Sequence, residues 1–489
     1  MFELAEQSVS IDKNEYNRRL NELRTTLFNT QLKLIEEKIP VLILIDGMPG
    51  AGRGELINLL NEWMDSKHIK NRTFWKLSGE TKQKPEYWRY WNVIPARSEI
   101  GLFFGGWYQA AAKRFLNGKS SEIQFEKEMN TAVRFEKTLS EDGMLIIKLW
   151  LHLSGDNYHK ILKKRGGKTD PLSGDKHNSR ISCSNILKAY EKAIRITDTA
   201  AARWYIIDSH NANQRNIAVL ELLISVISNA IKQKKDKQQE AQSELVSPLP
   251  EHVLSKVNLD QKIEGDYNKL LKKYKEAINC LTLKAYEKGI STVILFEGWD
   301  AAGKGGAIRR LTSAIDARIR QTIQIAAPTD EERARHYLWR FWRHIPQAGH
   351  VTIYDRSWYG RVLVERVEKL ASVAEFSRAF EEINHFESQL VEGGCLLIKF
   401  WMHISQDEQL RRFKQREELE WKNYKITSED WRNREKAEDY FAATDDMLVR
   451  TSTEIAPWRI IPANDKHYAR IEIMRIVCNE LKRVLKTKR

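Results

Sequence analysis

Two parts of this chain show the same order of long amphipathic and short apolar segments. Stretches 16–38 and 267–288 mix apolar and charged residues in the manner of a surface helix. Each leads into a short β-rich run closed by glycine, VLILIDG at 41–47 and TVILFEG at 292–298. Apolar runs of strand length between long amphipathic segments predict an α/β fold with a parallel, buried sheet flanked by helices. Further strands are expected at 322–325, 350–354, 395–401 and 458–462.

The similarity of the two parts is a true repeat. A shift of 251 residues places Gly47 on Gly298, Trp88 on Trp339, Trp91 on Trp342, Pro95 on Pro346, Trp107 on Trp358 and Trp150 on Trp401. Around these anchors whole phrases match, as LIIKLWLHLS at 145–154 does with LLIKFWMHIS at 396–405. An ungapped register of this length marks a domain duplicated in tandem. Residues 233–260 are polar and charged with two prolines, a linker composition. The chain therefore reads as repeat 1–232, linker 233–260 and repeat 261–489.

Composition adds one fact to this picture. An excess of 80 Lys and Arg over 66 Asp and Glu leaves a net charge of +14, which favours polyanionic partners without choosing among nucleic acid, membrane and phosphate-rich substrate. Cys183, Cys280, Cys395 and Cys478 lie far apart with no paired spacing, as free thiols of a reducing compartment would. No basic leader with an apolar stretch opens the chain, and the longest apolar runs are strand-length. A cytoplasmic protein without a membrane span is the expectation.

Candidate chemistry is concentrated in the second repeat. Gly298-Trp-Asp-Ala-Ala-Gly303-Lys304 stands directly after a predicted strand and before the helix-forming AIRRLTSAI. This is the GxxxxGK pattern in its required setting: Gly298, Ala301, Ala302, Gly303, Gly305 and Gly306 let backbone N–H groups face a phosphate, and Lys304 brings a point charge. Gly305 occupies the place where Ser or Thr usually holds Mg²⁺, so metal ligation must come from elsewhere. Asp300, inside the loop, and Asp355, at the end of HVTIY, are the two acids placed for it. Arg356, Arg361, Glu365 and Arg366 follow, and arginine forks suit phosphate oxygens. A basic cluster from Arg411 and Arg412 through Lys414 and Arg416 to Lys422 and Lys425 has the character of a lid over phosphates. The repeated tryptophans, Trp339, Trp342, Trp401 and Trp458 among them, read as core packing.

The repeat separates chemistry from packing. Under the same shift Asp300 falls on Pro49, Lys304 on Arg53, Asp355 on Phe104, Arg356 on Gly105 and Arg361 on Ala110. The first repeat keeps the scaffold and lacks the site.

Four segments then carry a family resemblance: GWDAAGKGGAIRRL at 298–311, YDRSWYGRVLVERV at 354–367, RRFKQREELEWKNYKITSEDW at 411–431 and PWRIIPANDKHYAR at 457–470. They resemble the polyphosphate kinase 2 family, and the tandem arrangement is similar to its two-domain members, which form ADP from AMP and polyphosphate. The resemblance implies a P-loop kinase fold similar to thymidylate kinase, Mg²⁺ dependence, oligomerisation, and inorganic polyphosphate with AMP and ADP as partners. It implies a catalytic centre of Asp300, Lys304, Asp355, Arg356, Arg361 and Glu365, with Arg412 and Arg416 in the lid. A flexible polyanion accounts for the surplus charge without nucleic acid or membrane. A polyphosphate-dependent nucleoside diphosphate kinase, an ATP-dependent small-molecule kinase and a non-catalytic polyanion scaffold stay open at this point.

Overall fold

Strand β1 (Val41–Gly47) is buried along its whole length, and β6 (Thr292–Gly298) at all but its last residue. Strands without a wet face belong in the middle of a sheet covered on both sides. The computed structural model describes residues 2, 11–74, 79–164, 183–240, 252–418 and 428–487, and places both strands centrally. The first sheet comprises β1, β2 (Ile69–Thr73), β3 (Ile100–Phe104), β4 (Leu145–His152) and β5 (Ala202–Asp208), in the order β2-β3-β1-β4-β5. The second comprises β6, β7 (Arg320–Gln324), β8 (Val351–Asp355), β9 (Leu396–His403) and β10 (Trp458–Pro462), in the order β7-β8-β6-β9-β10. All pairings within the two sheets are parallel.

The two orders are the same, and so is the register. Val41 pairs with Ile100 as Thr292 pairs with Val351, each one shift apart. Strand β7 starts two residues before the apolar pattern does, because at a sheet edge its polar residues reach water and hide the strand from a hydrophobicity reading.

By packing, the chain divides into unit 1, with Met1–Leu77, Arg89–Gln242 and Thr329–His336, and unit 2, with Ser78–Trp88, Ser243–Pro328 and Tyr337–Arg489. The cut is therefore not a single point in the chain. Within unit 1 the Arg97 N–H donates to Ala334 O at 2.8 Å, and within unit 2 the Ala348 N–H donates to Gln83 O at 3.0 Å. The two ends of the 233–260 stretch are structured: helix Ala212–Glu240 runs into it, and Leu254 is buried with its N–H on Asp445 Oδ1 at 3.0 Å. Residues 212–236 are long and apolar enough to cross a membrane, and of them Ile217, Val219, Leu220, Leu223 and Ile227 are buried inside unit 1. The four cysteines are free.

Among the described residues each core contains a Lys–Glu pair with both side chains fully buried. In unit 2 Lys399 Nζ donates to Glu387 Oε2 at 2.7 Å, to the Tyr359 hydroxyl at 2.9 Å and to Thr451 O at 2.7 Å. Trp358 Nε1 and Tyr359 donate to the other Glu387 oxygen. Unit 1 repeats the network with Lys148, Glu136, Tyr108, Trp107 and Thr197. Burial pushes the glutamates up and the lysines down, opposed in each case by the partner charge. Its presence in both repeats assigns it to the scaffold and not to the chemistry. Trp339, Trp342, Trp401 and Trp458 are all buried as well.

Candidate active site

The site grows from the end of β6, where the strand order reverses between β8 and β9 and a crevice must open. Gly298 has φ of 142°, and a Cβ there would meet Met402 O at 2.4 Å, so β9 itself requires glycine. The loop returns through Gly303, at φ 106°, into helix Lys304–Thr312. Lys304 Nζ folds back across the loop to Gly298 O at 2.5 Å and Trp299 O at 3.1 Å. A helix N-terminus and a lysine thus face the same small space, which suits an anion.

Asp300 Oδ1 lies 3.4 Å from Arg356 Nη2, and its Oδ2 accepts from Asn433 Nδ2 at 2.9 Å. Asp355 ends β8 in register with Phe296 of β6, so it stands at the same end of the sheet, next in sequence to the arginine that reaches Asp300. Lys304, Asp300 and Arg356 line one open cleft together with Glu297, Trp299, Trp401, Asn433, Tyr440 and Phe441. One wall is aromatic: the Trp299 ring lies 4.8 Å from Phe441 and 5.5 Å from Trp401. Burial pushes the His403 imidazole down to about 4, so near neutral pH it is uncharged and accepts the Trp299 indole N–H through Nδ1 at 2.8 Å.

Other expected residues are placed differently. Arg361 lies between Glu365 at 3.1 Å and Glu375 at 3.7 Å, with its guanidinium 4.5 Å from the Tyr337 ring centre. Burial pushes Glu365 up, opposed first by Arg361. Gly360, Leu363 and Val364 line the cleft, whereas this pair, like Asp355, does not. Arg412 is no free lid group in this structure. It is 2% exposed, and its guanidinium donates to the carbonyls of Ala301, Ala302, Ala463 and Asn464, at 2.7–3.0 Å, and to Glu408. Four carbonyls turned toward one fork are a strut under the phosphate loop; a basic run in sequence does not reveal which of its members turns inward. Arg416 is half-buried in the last turn of helix Gln406–Glu417, and Lys422 and Lys425 fall outside the described residues.

Sequence reasoning passed over Glu297, Asn433, Trp299 and Phe441. Glu297 had a signal, since the shift aligns it with another acid, Asp46. Asn433 had none, because its role depends on a fold-back of helix Ser428–Glu435 onto the loop.

Unit 1 shows how the same cradle closes. Arg53, the counterpart of Lys304, pairs with buried Asp46 at 3.1 Å and lies 4.8 Å over Phe104, which stands for Asp355. The Arg215 guanidinium presses on Gly52, where an added Cβ would find it at 1.8 Å, and donates to Ala51 O. Phe2 stacks on His152, the counterpart of His403.

Two loop-end residues of unit 2 hold left-handed backbone without being glycine: Ala301 at φ 61° and Arg356 at φ 62°. Their counterparts are Gly50 at φ 89° and Gly105 at φ 69°. Such strain costs on the order of 1–2 kcal/mol per residue and persists where function requires the side chain. Arg356→Gly is expected to stabilise the fold by about 0.5–1 kcal/mol once the extra chain entropy of glycine is subtracted, seen as a higher thermal unfolding temperature. The same change is expected to lower turnover by ~10²-fold, as removal of one charge-stabilising donor does.

Comparison with known proteins gives the family. The family profile described as Polyphosphate kinase 2 matches twice, over residues 10–237 and 261–489. The chain is 42% identical over 98% of both chains to the polyphosphate:AMP phosphotransferase of Pseudomonas aeruginosa, and 35% identical, over 98% of this chain and 97% of the other, to that of Acinetobacter johnsonii. A solved polyphosphate kinase 2 structure from Pseudomonas aeruginosa superimposes with a TM-score of 0.89 at 40% identity, over 99% of each chain. With both repeats matched over nearly the whole chain, the chain belongs to the polyphosphate kinase 2 family.

Proposed function

We propose that unit 2 transfers the terminal phosphoryl group of inorganic polyphosphate to AMP, giving ADP and a polyphosphate one unit shorter. The observation that carries this reading is a single cleft with a phosphate cradle at Lys304 and an aromatic wall at Trp299 and Phe441. The cradle suits a phosphate chain, and the wall suits the flat base of the acceptor. Basic groups continue past the loop: Arg310 donates to Gly306 O at 2.8 Å, and an added Cβ on Gly306 would find Arg470 Nη2 at 3.4 Å. A polyanion longer than one phosphate needs such a continuation. The polyphosphate:AMP phosphotransferases named above match this chain over nearly their whole length.

In the reaction an oxygen of the AMP phosphate attacks the terminal phosphorus of polyphosphate. The new O–P bond forms as the bridging P–O bond breaks, and the shortened chain keeps the electron pair. Lys304 and the loop amides hold the transferring group while Arg356 spreads the charge that builds on its oxygens. Trp299 and Phe441 orient the acceptor and keep water from it. The donor set fits Mg²⁺. Asp300 and Asp355 offer hard carboxylate oxygens, no three His, Cys, Asp or Glu cluster as a metal site among the described residues, and Mg²⁺ needs only one or two carboxylates beside phosphate and water. When bound there it would neutralise phosphate charge.

The test is direct. The full chain, given AMP, polyphosphate and Mg²⁺ without ATP, is expected to produce ADP measurable by ion-exchange chromatography. Phosphorylation of AMP with ATP and none with polyphosphate would overturn the reading in favour of an ordinary kinase. GMP, ADP and GDP offered in parallel define the acceptor.

A further inference from the structure

We infer that Glu297 and Ser357 are positioning residues that hold Arg356 in its left-handed conformation, aimed across the loop at the transferring phosphate. What Arg356 acts upon rests on the phosphotransfer reading; the pinning itself does not.

The argument starts from the backbone. The φ and ψ of residue 356 are held when its own N–H and the residue that follows it are both tied down. The Arg356 N–H donates to Phe296 O at 3.1 Å. Ser357 is tied through its side chain: its Oγ donates at 2.8 Å to the carboxylate of the next residue along β6, Glu297. Two consecutive residues of the central strand therefore clamp two consecutive residues after β8. Glu297 is 6% exposed and Ser357 2%, so water does not compete for these bonds. Without the clamp an arginine would leave φ 62° for the ordinary region.

The first repeat supplies the control. Its Gly105 N–H keeps the bond to Ile45 O at 3.0 Å and its φ stays at 69°, so the backbone path is the same. Where no arginine has to be held, Ser357 is replaced by Gly106 and Glu297 by the shorter Asp46. Asp46 is turned to other work, accepting from Arg53, the Gly47 N–H and Tyr190. Glycine takes the left-handed turn unaided, and the held arginine and its two positioning residues have been replaced together.

A competing role for Ser357 is simple capping, since its Oγ also accepts from the Tyr359 N–H at 3.4 Å at the start of helix Trp358–Arg361. A double-mutant cycle separates the two. Turnover with AMP and polyphosphate is measured for the full chain, Ser357→Ala, Arg356→Gly and the double variant. Ser357→Ala is expected to lower kcat about tenfold while KM for AMP changes less than about twofold, as displacement of a charge-stabilising group does. In the Arg356→Gly background the same substitution should cost nothing further. An equal loss in both backgrounds means a cap and overturns the inference. Glu297→Gln, which keeps an acceptor, should retain more turnover than Glu297→Ala, and it replaces Ser357→Ala in the cycle if that variant does not fold. A crystal structure of Ser357→Ala with Arg356 still left-handed and its side chain unmoved overturns the inference whatever the activity. Absence of turnover in the unsubstituted chain counts against the phosphotransfer reading alone.

Discussion

Asp355→Asn in the full chain is expected to lower turnover by roughly 10³-fold or more, with polyphosphate binding largely kept. Asp355 ends β8, its backbone in register with Phe296 of the central strand, and precedes the arginine that reaches Asp300. An amide of the same shape leaves the packing intact and removes a negative charge from the proposed cation site. Loss of about 4 kcal/mol of transition-state stabilisation corresponds to ~10³ in rate. No second centre can compensate in unit 1, where Phe104 stands in this position and Arg53 is committed to Asp46. Steady-state kinetics decide the rate, and a polyphosphate filter-binding assay decides affinity. Turnover within threefold of the unsubstituted chain would remove Asp355 from the mechanism.

The largest effect on stability is expected at Lys399→Met. The lysine is fully buried, bonded to Glu387, Tyr359 and Thr451 O, and its loss leaves a buried carboxylate without its counter-charge. Breaking a buried pair from one side costs on the order of 3–5 kcal/mol. Burial has already pushed Glu387 up, so in the variant the carboxyl takes a proton at higher pH than usual. The deficit should therefore be greatest at alkaline pH and shrink as pH falls and the carboxyl becomes neutral. Adding Glu387→Gln should restore much of the loss, because the amide oxygen still accepts from Trp358 and Tyr359 and no charge remains unpaired. Thermal unfolding of the single and double variants at several pH values measures both claims. A double variant no more stable than the single would show that the packing of Lys399 matters and its charge does not.

The duplication, the α/β class and the phosphate loop were all legible in the sequence, for a shared reason. Buried parallel strands must be apolar throughout, and a loop that meets β9 at Gly298 must be glycine there, so both leave marks that a neighbour-to-neighbour reading can find. The same shift that aligned the scaffolds also separated Lys304 and Asp355 from Arg53 and Phe104. Only the tertiary structure decided what depends on which distant groups meet. It turned Arg412 from a lid residue into a buried strut, set Arg361 and Glu365 as a pair beside the cleft, and brought Asn433 to Asp300 and Phe441 to Trp299. A charge in a sequence carries no record of its direction. Whether an arginine faces water, a carbonyl or a phosphate is set by the burial and hydrogen-bond demands of residues far along the chain, and these exist only once the sheet has closed over them.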